Sequence, residues 1–363
     1  MKQVVDLTCC RALFALSVFT YHVNLQSRYA GHLGPVGWVV RDGYLGVDGF
    51  FILSGIVLAY AHQRMNTSLA EVRLFIFKRL VRIYPVHVVT IGLFALMLIL
   101  GTALGNEPRD PSRFGSDELL RHLLLIHAWG FSDRYAWNYP SWSISAEWAG
   151  YLVFPLLWPR LRNSAPALLV AVILLACVAE HAAVWAAVPW RMNLTYDGGL
   201  LRFYPEFIAG MATVPLVPRL ARVVPGTLLL SAGVLCSAFG AMVLHDAAGL
   251  VVDGFWMILA GFMLRALQGG RPLLDWIPGA RLFGELSYSF YMSFAFVETV
   301  QSKIWRNLHV APHSEQILYG ITTFAMTLSL ALILWNGIEK PTQRAFARRN
   351  RTPIPVSARD VTP

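Results

Sequence analysis

The chain has 363 residues, of which 56% are hydrophobic and only 14% charged. A soluble domain carries roughly 25% charged residues, so this composition excludes an ordinary soluble globular protein and points to a polytopic membrane protein. The net charge of +9 is dispersed through the loops between apolar runs. That pattern fits basic cytoplasmic loops and not a nucleic-acid surface.

The first predicted element is a transmembrane helix over roughly 5–26. Arg11 interrupts its apolar run and no small-residue cleavage pattern follows, so a retained span is expected here, not a cleaved signal peptide. By the requirement of about 20 mainly apolar residues, nine more spans are expected at roughly 44–62, 84–104, 142–160, 165–188, 203–218, 225–244, 250–267, 283–304 and 316–338. The stretch ELLRHLLLIHAW (118–129) is amphipathic and short, and is placed at a membrane surface or re-entering the protein. No repeat or second soluble domain is visible. The expected organisation is one all-α integral membrane domain over 1–341 and a basic, disordered cytoplasmic tail over 342–363.

With ten alternating spans and a cytoplasmic N-terminus, the inside segments hold about 19 Lys and Arg and the outside segments about 10. Both termini are therefore expected in the cytoplasm. The four cysteines at 9, 10, 177 and 236 form no CxxC pair, and no metal site or disulfide framework is expected.

Several polar residues stand where a bilayer disfavours them. Arg11 and His22 are eleven residues apart in the first span, which on a regular helix puts both on one face about 16 Å apart along the axis. Asp48 lies in GYLGVDGFFILSG (43–55), between Gly46 and Gly49 at the start of the second span. In RLFIFKRLVRIYPVH (73–87), apolar residues alternate with Arg73, Lys78, Arg79 and Arg82. This reads as an amphipathic surface helix that ends at Tyr84-Pro85, and its basic cluster suits lipid headgroups or a phosphate-bearing soluble molecule. Trp142, Ser143 and Glu147 lie in YPSWSISAEWAGY (139–151), and an intramembrane carboxylate is a functional-site hypothesis by default. With His22, Asp48 and Glu147 all in the outer half, a carboxylate could orient an imidazole acting as general base. FGELSYSFYMSF (283–294) adds Ser287, Tyr288, Ser289 and Tyr291 to the ninth span.

Taken in order, R-x10-H, GVDGFFILSG, RLVRIYP, WSISAE, SYSFYM and the E-x-P ending at Glu339 and Pro341 resemble acyltransferase family 3, integral membrane enzymes that modify bacterial surface and exported glycans. The resemblance implies transfer of an acyl group, commonly acetyl from acetyl-CoA, to a hydroxyl of a glycan or lipid-linked glycan, in the bacterial inner membrane and without a metal. The family's essential Arg and His fall on Arg11 and His22, and its other polar positions on Asp48, Arg79, Arg82, Trp142, Ser143, Glu147, Ser287 and Tyr288. Arg79, Arg82, Lys78 and Arg11 are then expected to hold the donor. His22 is the expected base, with Glu147 or Asp48 orienting it and Tyr288 or Ser143 as oxyanion donor.

Two positions depart from the family pattern. Gly49 replaces an aliphatic residue, which is expected to loosen the helix start, and Phe294 stands where a histidine is frequent. Many relatives carry a fused soluble domain, for which this chain leaves no room, so the membrane domain is expected to act alone or with a partner. Two other readings fit the residues: a transporter or flippase for a lipid-linked glycan, and a non-catalytic membrane scaffold.

Overall fold

The structure is a computed structural model that describes residues 4–65, 67–108, 110–186, 194–244 and 247–349. It is helical throughout, with no strand among the described residues. The chain runs through α1 (Val5–Ser27), α2 (Val36–Arg41), α3 (Gly46–Ala61), α4 (Leu69–Ala103), α5 (Ser116–Leu123), α6 (Trp142–Leu161) and α7 (Pro166–Ala186). It continues through α8 (Gly199–Leu220), α9 (Gly226–Met242), α10 (Ala248–Leu267), α11 (Ala280–Asn307) and α12 (Gln316–Leu334). A π-turn (Trp335–Glu339) then leads into α13 (Lys340–Arg349).

A helix lies at each of the ten expected positions. Residues 187–188 of the expected fifth span, Lys2 and residues 350–363 of the tail lie outside the described residues. Six helical runs are long and apolar enough to cross a membrane: α3, α4, α7, α8, α10 and α12 with its extension to Arg349. The other long helices show why composition does not mark them. α9 has 17 residues, and α1, α6 and α11 carry the polar side chains Arg11, His22, Glu147 and Glu298 within their lengths. Such groups are tolerated at that depth when they face the protein interior. α1 packs on α11 and α3, α3 packs on α8, and α6 also lies against α8, so these polar faces are turned inward.

Two close approaches set the helix spacing. A side chain on Gly55 would meet the Phe207 carbonyl at 2.1 Å, and one on Gly210 would meet the Ile52 carbonyl at 2.2 Å. Small residues thus bring α3 and α8 into backbone contact, as membrane helices require in the absence of a hydrophobic drive between them. At Gly49 a Cβ would fall 2.5 Å from the Phe14 ring. The glycine makes room for that ring on α1 and so tightens the start of α3, contrary to the expected loosening.

Two further expectations are corrected, and the 118–129 stretch shows which of its faces is buried. Pro85 does not end a surface helix: α4 runs unbroken for 35 residues. A proline removes one backbone donor, here the N–H that would meet the Val81 carbonyl, and membrane helices tolerate such a gap. Here buried Ile83 and Val86 anchor the turn, and the Tyr288 hydroxyl donates to the Ile83 carbonyl at 2.5 Å.

The 118–129 stretch folds with its polar side inward. Glu118 and His122 are buried while Leu120 and Leu124 are exposed. Glu118 accepts from Ser132 at 2.8 Å and pairs with Arg121. The His122 and His127 rings stack at 3.8 Å, with His87 of α4 parallel to His127 at 6.1 Å.

The chain does not leave the helix at the E-x-P ending: residues 342–349, expected to be disordered, continue as α13.

Candidate active site

Two cavities open within the bundle, and α1 contributes to both. The first, about 600 Å³, is lined by Arg11 near the start of α1, by Ser54 on α3, Arg79 and Arg82 on α4, Glu147 and Tyr151 on α6, and Ser287 and Tyr288 on α11. The second, about 770 Å³, is lined by His22 near the end of α1, with Tyr21, Tyr44, Tyr139, Trp142, Arg202 and Glu298. Among the described residues, only Val47 and Tyr291 line both. Helical geometry puts Arg11 and His22 about 16 Å apart, so one helix face carries the cation in one cavity and the imidazole in the other.

The Arg11 cavity has an excess of positive charge. Arg11, Arg79 and Arg82 face it together with one carboxylate, Glu147. No ion pair engages these three arginines among the described residues. The Arg79 Nε is buried without a hydrogen-bond partner, and its guanidinium lies 6.0 Å over the Tyr151 ring. Glu147 Oε1 accepts from the Ser54 hydroxyl at 2.8 Å and from the Tyr151 hydroxyl at 2.5 Å. Lys78 is exposed and lines a separate shallow pocket with His62 and Glu71.

The His22 cavity combines aromatic faces with charged groups. Tyr135 and Tyr196 pack edge to face at 4.9 Å on its wall, beside Asp133, Arg134, Lys303 and Arg306. The His22 Nδ1 lies 3.1 Å from the Tyr139 hydroxyl, which donates to Glu298 Oε2 at 2.9 Å. Phe294, at the position where the resemblance often has a histidine, packs its ring 4.8 Å from the imidazole.

The predicted residues therefore divide. Arg11, Arg79, Arg82, Glu147, Ser143, Ser287 and Tyr288 meet in one cavity, while His22 and Trp142 meet in the other. Trp142 and Ser143 are neighbours in sequence but point about 100° apart on α6.

Neither carboxylate expected to orient His22 does so. Asp48 is fully buried and gripped by Arg202, Nε to Oδ1 at 2.6 Å and Nη2 to Oδ2 at 2.5 Å. Glu147 belongs to the Arg11 cavity.

Both expected oxyanion donors are committed to the protein. Tyr288 donates to the Ile83 carbonyl, and Ser143 donates at 3.0 Å to Tyr291, whose own proton goes to the Pro140 carbonyl at 3.0 Å. Ser289 donates to Glu339 at 2.6 Å, which joins the SYSFYM stretch to the E-x-P ending.

Arg202, Tyr139 and Glu298 were not singled out for the site. Arg202 and Glu298 carry the signal that marked Glu147, a charge inside a long helix. Tyr139 carries no such signal, since hydroxyls on membrane helices usually serve helix contacts.

One helix, α1, thus carries a cation-rich cavity near one end and a histidine-bearing cavity near the other. The profile of the acyltransferase domain matches residues 4–336, and the chain belongs to acyltransferase family 3. It is 36% identical over 167 residues to Acyltransferase MdmB of Streptomyces mycarofaciens, covering 44% of this chain and 40% of that protein. It is 22% identical over 338 residues to the Staphylococcus aureus (strain COL) protein named Putative O-acetyltransferase SACOL0978, covering 83% of this chain and 52% of that protein. It is 27% identical over 329 residues to the Exopolysaccharide production protein ExoZ of Rhizobium meliloti (strain 1021), covering 85% of this chain and 92% of ExoZ. The chain thus spans about half or less of the first two relatives and most of the third. No solved structure matches it.

Proposed function

We propose that the protein is a multi-pass O-acyltransferase of the bacterial inner membrane. It would move an acetyl group from cytoplasmic acetyl-CoA to a hydroxyl of a glycan or lipid-linked glycan on the outer side. The observation that carries this reading is the pair of cavities meeting at Val47 and Tyr291, one with three arginines and the other with His22. Ten alternating spans with both termini cytoplasmic put the Arg11 cavity toward the cytoplasm and the His22 cavity outward, in keeping with the loop charges.

Arg79, Arg82 and Arg11 bind the phosphates of the donor, for which planar guanidinium groups are well suited, and Glu147 holds its place beside them through Ser54 and Tyr151. The pantetheine arm runs the ~16 Å from Arg11 toward His22 and brings the thioester past Val47 and Tyr291. The aromatic walls of the outer cavity face the sugar rings of the acceptor, and its charged rim bonds their hydroxyls. His22 takes the proton of the attacking hydroxyl, a role typically worth 10²–10⁴-fold. The relatives named for O-acetyl transfer and exopolysaccharide production support the reaction and the acceptor class.

The test is mass spectrometry of exported glycans from cells carrying the wild-type chain, His22→Ala or no protein. The expected result is an acetyl ester present with wild type and absent in the other two, with His22→Ala still inserted in the membrane. An acetyl pattern indifferent to the protein, with export lost instead, would replace this reading by transport.

A further inference from the structure

The hydrogen bonds around His22 define its protonation state as well as its position. A phenol has one proton, and Tyr139 gives its own to Glu298 Oε2 at 2.9 Å. Its oxygen is then an acceptor toward His22 Nδ1 at 3.1 Å, so Nδ1 must carry the ring hydrogen of the neutral imidazole and Nε2 the lone pair. The opposite tautomer would turn the Tyr139 proton toward Nδ1 and take from the buried Glu298 its phenol donor. Gln26, one turn beyond His22 on α1, lines the same cavity as Glu298. No protein group bonds Nε2 among the described residues. The ring plane is fixed by Phe294 at 4.8 Å and by the edge of Tyr21 at 5.1 Å.

We propose that Tyr139 and Glu298 are positioning residues, a relay that places the His22 proton on Nδ1 and leaves Nε2 as the base of the outer cavity. The proposal rests on the acyl-transfer reading for its chemistry, although the tautomer it names exists with or without that activity. As the acceptor oxygen bonds to the thioester carbonyl carbon, its proton passes to Nε2. The imidazolium so formed faces the Glu298 carboxylate through Tyr139, which supplies in two bonds the stabilisation a directly bonded carboxylate gives elsewhere. When the carbon–sulfur bond breaks, the sulfur leaves with the Nε2 proton as the CoA thiol, and His22 is neutral again with Nδ1 still protonated.

The test has two readouts on the full-length protein in lipid. Nitrogen NMR of ring-labelled histidine, with the His22 signals assigned by difference against His22→Gln, is expected to show the unprotonated nitrogen at Nε2 in wild type. Tyr139→Phe is expected to abolish that single-tautomer signature. A wild-type signal with the proton on Nε2, or one that Tyr139→Phe leaves unchanged, overturns the relay. Initial rates of CoA release are expected to give a kcat lower by about 10–100-fold for Tyr139→Phe and Glu298→Gln. The KM for acetyl-CoA should stay within about twofold, because the donor's arginines line the other cavity. A kcat near wild type in both variants also overturns it. A wild-type protein that holds the tautomer but releases no CoA refutes the acyl-transfer reading alone.

Discussion

Asp48 and Arg202, separated by 154 positions in the chain, close a two-point ion pair between α3 and α8 at 2.6 and 2.5 Å, with both side chains almost wholly buried. Arg202 Nη2 also donates to the Tyr44 carbonyl at 3.2 Å, and its guanidinium lies 5.2 Å over the Trp142 ring. The charge inside the GVDGFFILSG stretch is therefore answered within the protein, and it clamps the helix that carries Val47 to the wall of the His22 cavity.

Removing one partner of a buried pair leaves the other charge uncompensated, at a cost of about 3–5 kcal/mol. Asp48→Asn and Arg202→Gln are each expected to lower the thermal midpoint in detergent and the yield of folded protein. The double variant should be more stable than the sum of the singles predicts. Additive losses in a double-mutant cycle would show that the two charges are not coupled.

Gly49→Ala places a methyl group into the Phe14 ring, which is itself held at 5.7 Å from Phe50 and 5.2 Å from Phe255. Overpacking of this kind costs about 1–3 kcal/mol. Phe14→Leu should recover part of the loss when combined with Gly49→Ala, as contacting sites do. Equal thermal midpoints for wild type and Gly49→Ala would refute the close approach.

Arg79→Gln and Arg82→Gln are each expected to raise the KM for acetyl-CoA by about tenfold, the scale of one charge-assisted hydrogen bond, with kcat changed far less. Lys78→Gln should alter it by less than about twofold, since Lys78 is exposed and lies outside the cavity. Steady-state CoA release distinguishes the two cases, and an equal effect at all three positions would argue for a general surface field.

The stacked histidines make the α5 loop sensitive to acid. Burial holds His122 down to about 4 and His127 well below its ordinary value. The unfolded loop binds protons near 6.5 while the folded loop does not. Its local stability is therefore complete above about pH 6.5 and declines as the pH falls toward 4. Glu118 with Arg121, and His87, face the same stack. Hydrogen exchange over 116–129, corrected for intrinsic rates, should show less protection at pH 5 than at pH 7, and equal protection would contradict a neutral stack.

The helices were legible because each depends on local composition: an apolar run of sufficient length is a helix wherever the bundle puts it. The meaning of α5 was only half legible, since amphipathic spacing identifies two faces without saying which is buried. Here Glu118 and His122 turn inward because they have Arg121, Ser132 and a stack of rings to meet. The partners of Asp48 and His22 were not legible at all. Arg202 and Glu298 approach them from distant helices, and a charge's place in a run of hydrophobic residues reveals that it needs a partner without naming one. Glu147 was grouped with His22 by depth alone, and depth does not separate two cavities on opposite sides of Val47 and Tyr291.

That shared wall bears on the energy of the cell. Val47 and Tyr291 lie between the two cavities, and the Tyr291 hydroxyl is fixed at 3.0 Å from both the Pro140 carbonyl and Ser143. Each elementary charge that crosses a membrane dissipates about 2.3 kcal/mol per 100 mV. The reaction exchanges an acyl group for the acceptor's proton without moving net charge, so transfer past a valine and a tyrosine would dissipate none of this energy. On the proposed reading, the acyl group would reach the outer face without a conducting pore through the protein.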